Sequence, residues 1–420
     1  MDSGYFRATA RVVLLAATAA LLGATGASAV PHFKVLHNFC AQGGASCTDG
    51  KLPLAGLAID ASGNLYGTAS QGGHFGGGAA FKLTNTGTGY AYKTMFHFQS
   101  VSGTNPQGPL LLSTGKNLYG TAHDGGTNNA GTIFTLRENR TGTRWLLFAV
   151  HNLCEEEDCA DGAHPVSGLY VAGDAFDPRH GGGGYGVMAD GGAFGHGMQY
   201  QYYPKFDHVS PQQWFCTGSG CPYGDVPNGE VAFDQDNRPC LTLREGGANN
   251  KGVLDCQNDI SLLRHDFCAE ADCADGATPM SGVVKDDTFH VWGTTNSGGA
   301  HGQGTVYNVL VSGDHAFNVA YSFCAQLSCA DGQNPVGGLI RSANVFYGTT
   351  AGGGNGGGGT IFSLDAGGAE KVLHHFCTRS GCPDGSAPQG SLVTDGAGHF
   401  FGIATGGGTH GGGTVFELTL

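Results

Sequence analysis

Ionisable side chains that could carry out chemistry are concentrated in glycine-rich segments of this sequence. Three successive copies of a Gly-Gly-x4-Gly motif carry such residues, namely His123 with Asp124, His196, and Arg244 with Glu245. An imidazole can move a proton near neutral pH, a carboxylate can assist it, and a guanidinium can hold a sugar acid through paired hydrogen bonds. If the protein is an enzyme, we expect these five residues to be catalytic. The alternative is that they are unrelated residues of exposed loops.

Polar residues that differ between copies of the motif are also the candidate ligand contacts. The set comprises His74, His123, His196, Arg244, His301 and His410, with Asp190 and Lys251 as further polar positions. An insertion in the third copy adds Arg179 and His180, which we expect on the opposite face as a second choice. The sequence has no Gly-x-Ser-x-Gly elbow, no His-Glu-x-x-His motif and no EF-hand loop. We therefore expect no metal and no cofactor.

The glycine motif is part of a longer internal repeat. It starts seven times, at Gly72, Gly125, Gly191, Gly246, Gly298, Gly353 and Gly407. Six residues before each start lies one column, Tyr66, Tyr119, Tyr185, Cys240, Trp292, Tyr347 and Phe401. Three residues after each motif lies another, Phe81, Phe134, Tyr200, Asp255, Tyr307, Phe362 and Phe416. Two aromatic columns in register indicate that the chain contains seven copies of one unit.

Each unit contains four short strand-like runs bounded by Gly and Asn, at residues 53–60, 65–70, 78–83 and 90–98 in the first copy. The predicted fold is all-β, a single seven-bladed β-propeller of four-stranded blades over residues 30–420, with repeats of about 55 residues. Residues 33–39 match a fourth strand, whereas residues 413–420 match a third strand. We expect the N-terminal strand to complete the last blade, which removes two exposed sheet edges.

The repeat has a known counterpart. Residues 345–364 (VFYGTTAGGGNGGGGTIFSL) and 374–388 (HHFCTRSGCPDGSAP) resemble the GloVer tandem repeat of exported bacterial proteins, in which a "choice-of-anchor" tail follows the array. The resemblance implies an exported, propeller-like repeat protein and carries no settled activity. No such tail is visible in this sequence, so we expect release into the periplasm or medium rather than anchoring.

The cysteines recur after the fourth strand of a unit. Five Cys-x4-Cys elements and one longer element are expected to form local disulfides, namely Cys40 with Cys47, Cys154 with Cys159, Cys216 with Cys221, Cys268 with Cys273, Cys324 with Cys329, and Cys377 with Cys382. Metal binding is the less favoured alternative. The remaining pair, Cys240 and Cys256, lies in the unit whose aromatic columns both fail. A disulfide between neighbouring strands is expected to replace the lost packing there.

Several histidines and aspartates occupy repeated positions and need no catalytic explanation. The histidine column, filled by Phe96, Gln213 and Tyr321 in other units, contains His37, His151, His265 and His374. We interpret it as a packing position. The repeated aspartates, Asp49, Asp161, Asp275, Asp331 and Asp384, precede glycine and suggest turns rather than calcium sites.

Composition limits the partners. The chain has 420 residues, 76 of them Gly, and a net charge of −14, which argues against nucleic acid and anionic membranes. Arg7 and Arg11 precede the apolar residues 12–23 and the small-residue site at 27–29, so residues 1–29 are predicted to be a secretory signal peptide. We expect a secreted or periplasmic monomer without a membrane span. Its partner would be a carbohydrate or an extracellular protein, or alternatively a polysaccharide that it cleaves as a lyase or glycoside hydrolase.

Overall fold

The computed structural model describes residues 30–171, 177–178, 181–234, 237–256 and 263–420. The predicted signal peptide and the insertion residues Arg179 and His180 lie outside this part of the chain. The described residues form seven antiparallel sheets arranged as a seven-bladed β-propeller, which confirms the predicted fold class. Within these residues, no helix has the length and apolar character needed to cross a bilayer.

Each of the first three blades is a four-stranded antiparallel sheet that follows chain order from the innermost strand outward. Blade one consists of β2 (Ala58–Ile59), β3 (Leu65–Ala69), β4 (Ala79–Asn85) and β5 (Tyr90–His97). Blade two consists of β6 (Leu111–Leu112), β7 (Asn117–Ala122), β8 (Thr132–Glu138) and β9 (Trp145–Asn152). Blade three consists of β10 (Ala163–Pro165), β11 (Gly184–Asp190), β12 (Met198–Tyr203) and β13 (His208–Trp214).

The remaining blades repeat this order, and in two of them the innermost strand is split into two segments that pair with the same neighbour. Blade four consists of β14 (Asp225–Pro227), β15 (Ala232–Phe233), β16 (Pro239–Glu245), β17 (Val253–Cys256) and β18 (Leu263–Asp266). Blade five consists of β19 (Val284–Lys285), β20 (His290–Thr295), β21 (Thr305–Leu310) and β22 (Phe317–Ser322). Blade six consists of β23 (Gln333–Pro335), β24 (Ile340–Ser342), β25 (Val345–Gly352), β26 (Thr360–Asp365) and β27 (Glu370–His375).

Blade seven contains both ends of the described chain. Its strands, from the inside outward, are β28 (Ser386–Thr394), β29 (His399–Gly406), β30 (Thr414–Thr419) and β1 (His32–Asn38). β1 pairs antiparallel with β30, with His32 opposite Thr419 and Asn38 opposite Thr414. The prediction that the N-terminal strand completes the last blade is confirmed. The pairing closes the ring and covers the outer edge of β30.

The aromatic column on the third strand is explained by its close contact with the second strand of the same blade. Gly348 on β25 lies directly opposite Phe362 on β26, and a Cβ on Gly348 would lie 2.7 Å from the Phe362 ring. The absence of a side chain therefore lets the ring lie flat against the neighbouring strand. Blade four departs from this arrangement on both strands, because Leu241 faces Asp255 there. The glycine and the aromatic residue change together.

All fourteen cysteines form disulfides in the pairs predicted from the sequence. Six bridges close loops that follow outer strands, and they join Cys40 to Cys47, Cys154 to Cys159, Cys216 to Cys221, Cys268 to Cys273, Cys324 to Cys329, and Cys377 to Cys382. The seventh joins Cys240 on β16 to Cys256 on β17, which lie opposite each other in the sheet. The cysteines therefore form disulfides and not the metal sites that were the less favoured alternative.

Short helical turns accompany these loops. One-turn 3-10 helices lie in four of the disulfide loops and in the corresponding loop of blade two, at Gly44–Ser46, Glu157–Cys159, Ala271–Cys273, Leu327–Cys329 and Ser100–Ser102. In the loop that enters blade seven, the N–H of Cys382 donates to the carbonyl of Arg379 and that of Gly385 donates to the carbonyl of Cys382. The second cysteine of the element therefore lies within a tight turn.

The repeated aspartates and histidines stabilise these loops and the contacts between blades. Asp275 accepts hydrogen bonds from the backbone N–H groups of Ala269 and Glu270, and its carboxylate lies 3.1 Å from Nε2 of His265. The His265 ring stacks on Phe317 of the next blade, with centroids 3.8 Å apart. The histidine column therefore packs between blades, and its aspartates close loops.

Candidate functional site

The glycine-rich loops and the disulfide loops lie together on one face of the ring, called the loop face here. Each glycine-rich loop joins the second and third strands of a blade. It contacts the loop that enters the same blade, which carries a disulfide in every blade except the second. The N–H of Gly73 donates to the carbonyl of Cys47 (3.0 Å), and that of Gly408 donates to the carbonyl of Cys382 (2.8 Å). The candidate residues in these loops therefore share one surface.

His123 and Asp124 form a close ionisable pair on this face. Nδ1 of His123 lies 2.7 Å from Oδ1 of Asp124, and the side-chain amide of Asn105 donates to Oδ2 at 3.0 Å. Burial alone would raise the pKa of Asp124. The hydrogen bonds from Asn105 and His123, together with the proximity of His164, outweigh this effect and lower the pKa. The carboxylate can thus hold an imidazole whose Nε2 is left to face a ligand.

Sequence reasoning missed a second histidine in this cluster. The ring of His164 lies 5.1 Å from that of His123, and its Nδ1 is 2.9 Å from the carboxylate of Asp190. His164 precedes Pro165 and has a positive φ of 51°, and its N–H donates to the carbonyl of Ala130. This strained, left-handed geometry directs the residue toward blade two.

The strain at His164 is a feature of the repeat. The residue before the inner-strand proline has a positive φ in all seven blades, at Leu52, Asn105, His164, Val226, Thr278, Asn334 and Ala387. A column of residues preceding proline was visible in the sequence. Its histidine and asparagines were the signal that could have identified His164 and Asn105 as site residues.

The other predicted catalytic residues lie on the loop face, but their ion-pair partners are not His123 or Asp124. Nδ1 of His196 is 3.2 Å from the carboxylate of Asp225. Arg244 lies 3.4 Å from Glu245, and both side chains are exposed. Among the described residues, no hydrogen bond or ion pair joins His196 or Arg244 to His123. The five residues therefore lie on the same face without forming one contact network.

The remaining ligand candidates are positioned in loop tips. The backbone N–H of His74 donates to Nδ1 of His97 at 3.3 Å, and the two rings are 4.1 Å apart. His301 and His410 are exposed residues of the glycine-rich loops of blades five and seven. These three histidines lie in different blades from the cluster at His123.

One group of side chains has the composition of a metal site. His196, Cys216, Cys221 and Asp225 place their ligand atoms within 4.8 Å of one another. Zinc would need cysteine as thiolate, and Cys216 and Cys221 are joined in a disulfide. In this oxidised state the group does not offer a zinc site.

Two exposed aromatic rings lie at the loop-face end of blade three, the blade that contains His196. Phe194, at the tip of the glycine-rich loop of blade three, is 51% exposed, and Trp214, at the end of β13, is 42% exposed. Their ring centroids are 6.5 Å apart in an edge-on arrangement. Tyr223 follows in the next disulfide loop, and the guanidinium of Arg264 lies 5.2 Å from its ring. Phe194 and Trp214 are called the aromatic patch below.

The central channel contains a polar group that sequence reasoning did not single out. Each blade contributes a pentapeptide that begins with proline, and together the seven segments surround a cavity of about 190 Å³. The fourth residues of these segments are Gly56, Pro109, Gly168, Glu230, Gly282, Gly338 and Ser391. All the other blades have a small or cyclic residue at this position. The exception, Glu230, could therefore have been identified from the sequence.

Glu230 extends from blade four to blade seven. Oγ of Ser391 donates a hydrogen bond to its carboxylate at 2.6 Å. A Cβ on Gly338 of blade six would lie 2.6 Å from that Oγ and 3.1 Å from Oε2 of Glu230, so a small residue is needed there. Burial raises the pKa of Glu230, and the bond from Ser391 offsets this only partly.

Several solved structures are similar to this chain. They include a putative 6-phosphogluconolactonase from Bacteroides uniformis (15% identity, 83% of this chain, 89% of that chain, TM-score 0.49) and the polysaccharide lyase Uly1 (12%, 91%, 92%, 0.48). A puromycin-hydrolyzing peptidase from Mycobacterium tuberculosis matches at 9% identity and TM-score 0.50, over 89% of this chain and 53% of its own. The peptidase similarity concerns the fold alone.

A comparison with curated proteins finds no match. The model of the Gloeobacter/Verrucomicrobia repeat matches residues 27–254 and 226–420, which together span the propeller. This match confirms the resemblance that the YGT, glycine-rich and GT(V/I)F segments indicated. The chain belongs to the Gloeobacter/Verrucomicrobia repeat family.

Proposed function

We propose that the protein is an exported propeller that binds a carbohydrate of a glycan or cell surface on its loop face, across blades two to four. The observation that carries this proposal is the aromatic patch, whose exposed Phe194 and Trp214 contact each other at the loop-face end of blade three. Contiguous exposed apolar surface is a mark of interaction sites on soluble proteins, whereas single exposed rings are ordinary. Aromatic side chains bind ligands with little loss of conformational entropy.

Polar groups next to the patch would supply orientation. The pair His196 and Asp225 offers a hydrogen-bond donor and acceptor to a ligand. The guanidinium of Arg264 is already bound to the carboxylate of Asp266 at 2.6 Å. A site with a few polar groups around apolar surface is typical of small-ligand recognition. The seven disulfides fit an oxidising compartment, which supports export.

The test is a glycan-array screen with the full chain, followed by calorimetric titration of the best ligand. We expect Trp214→Ala to weaken binding by at least tenfold, because it removes a stacking surface. Phe206→Ala is the matched control. Phe206 is also an exposed aromatic residue of blade three, but it lies in the turn between β12 and β13 at the other face. Equal affinity of the two variants would refute the proposed surface.

A polysaccharide-active enzyme, either a lyase or a glycoside hydrolase, is the second candidate. It is favoured by the pair of His123 and Asp124, in which the carboxylate holds Nδ1 and leaves Nε2 able to accept a proton. His164, held in turn by Asp190, would then be the partner acid. Arg244 would bind a sugar acid only if a long substrate reaches from blade two to blade four.

Product analysis separates the two candidates. Incubation with acidic polysaccharides should yield new reducing ends or unsaturated products if the protein is an enzyme, and none if it only binds. In the enzyme case, His123→Ala should reduce kcat by at least 100-fold. His301→Ala, a change of an exposed loop histidine in blade five, serves as the control. Full activity of His123→Ala would remove this pair from the mechanism.

A further inference from the structure

The axis of the propeller departs from sevenfold repetition at one position. Six blades place Gly, Pro or Ser at the fourth residue of the channel pentapeptide, whereas blade four places Glu230 there. The six other blades close around the channel without a long side chain, so blade packing does not require the glutamate. Its presence must be explained by the channel itself.

The carboxylate of Glu230 lacks a positive partner in the described part of the chain. Its hydrogen bond comes from the neutral hydroxyl of Ser391, and none of the residues that line the cavity is Lys, Arg or His. A half-buried charge in a confined channel without a counter-charge is costly, and proteins normally pair such a charge or use it to bind a cation. The net charge of −14 further favours the entry of cations into the channel.

The rest of the lining is rich in oxygen. Ser391, Gln107 and Gln389 line the cavity and carry a hydroxyl and two amides. The hydroxyls of Ser167 and Ser281 are bonded within their own blades. Tyr170 also lines the cavity, and its hydroxyl oxygen is buried without a hydrogen-bond partner. Oxygen atoms from carboxylates, hydroxyls, amides and water are the ligands of hard metal ions. The unpartnered hydroxyl is a second indication that an occupant belongs there.

We propose that the central channel binds a hard, oxygen-ligated metal cation, with Glu230 as its charged ligand and Ser391 beside it. The cavity of about 190 Å³ has room for an ion together with several of its water molecules. Direct ligation by one carboxylate, completed by hydroxyls and water, is within the range of calcium and magnesium sites. The ion would join blade four to blade seven through opposite walls of the channel.

The test uses the full chain after removal of metals with a chelator, with CaCl2 and MgCl2 as probes and methylammonium chloride as an organic cation. We expect saturable, one-to-one binding of a metal in calorimetry and a rise of Tm with its concentration, because the ligand stabilises the folded state. Glu230→Gln keeps the shape and removes the charge. It should weaken metal binding by at least tenfold.

Two further variants keep the result interpretable. Ser391→Ala tests the same site without changing Glu230 and should weaken binding severalfold, even if Glu230→Gln does not fold. Glu370→Gln removes a buried carboxyl on β27, outside the channel, and should leave the affinity unchanged. The proposal is overturned if neither metal binds saturably, if only methylammonium binds, or if Glu230→Gln folds and binds metal as the unsubstituted chain does.

Discussion

His37 on β1 stacks on Tyr92 on β5, with ring centroids 3.6 Å apart and planes 7° from parallel. The contact joins the outer strand of blade seven to that of blade one. The same contact recurs as His265 on Phe317 and as His374 on Phe33, so imidazoles form part of the joints between blades. Nε2 of His37 also lies 3.1 Å from the carboxylate of Asp49.

Stability should fall in mild acid because of this joint. Burial, partly offset by Asp49, lowers the pKa of His37 to about 4. Between this value and the unfolded value of about 6.5, the unfolded chain binds more protons than the folded chain, so stability decreases as pH falls through that window. His37 should cost on the order of 2 kcal/mol between pH 7 and pH 5. Urea denaturation at several pH values measures this loss.

His37→Tyr is the matched variant for that measurement. Tyr321 occupies the same column in blade five, where its hydroxyl donates to Asp331 at 2.8 Å, so tyrosine fits the position without a proton that titrates in mild acid. The stability of the variant should depend less on pH than that of the unsubstituted chain. Parallel pH profiles for the two proteins would contradict the role assigned to His37.

Closure of the ring by β1 predicts the effect of a truncation. Phe39, just after β1, is fully buried with Leu57 and Phe81 of blade one. Removal of residues 30–39 exposes this core and the edge of β30, and should abolish the cooperative unfolding transition seen for a chain that starts at Val30. A synthetic peptide of residues 30–39 should restore the transition in a concentration-dependent manner. A truncated chain with an unchanged Tm would show that closure is dispensable.

The disulfide between β16 and β17 should contribute more than the loop disulfides. Cys240 and Cys256 are 16 residues apart, whereas Cys377 and Cys382 are 5 apart. Replacing the first pair with Ala should cost about 3 kcal/mol, and replacing the second about 2 kcal/mol, since loop-closure entropy grows with loop length. Chemical denaturation of the two double variants gives both values. An equal or reversed order would argue against the entropic account.

The contact of Gly348 with Phe362 predicts a coupled pair. Gly348→Ala places a methyl group 2.7 Å from the Phe362 ring and 2.9 Å from Leu339, which should cost about 2 kcal/mol through overpacking. In a Phe362→Leu background the same change should cost about 1 kcal/mol less. A double-mutant cycle measured by denaturation checks the coupling. Strict additivity of the two changes would mean that the contact is relaxed in solution.

Features that recur in every unit could be predicted from the sequence, because a residue type that repeats at one position reflects a contact present in every blade. The columns at Tyr347 and Phe362 follow from strand pairing, and the bridge between Cys240 and Cys256 follows from two adjacent failures in those columns. Contacts across the ring leave no repeated pattern in the sequence. The bond between Glu230 and Ser391 joins residues 161 apart in sequence and depends on how seven blades converge. His164 was missed because its direction depends on a left-handed residue before proline.

The pairing of His32 with Thr419 also determines which face of the propeller points away from a linker or tag attached at either end. β1 leads from His32 toward the loop face and β30 leads from that face to Thr419, so both ends of the described chain leave blade seven side by side on the side away from the disulfide loops. A linker or tag fused before Val30 or after Leu420 would therefore hold the propeller with its aromatic patch turned outward. Immobilisation through either end leaves that surface accessible to large ligands.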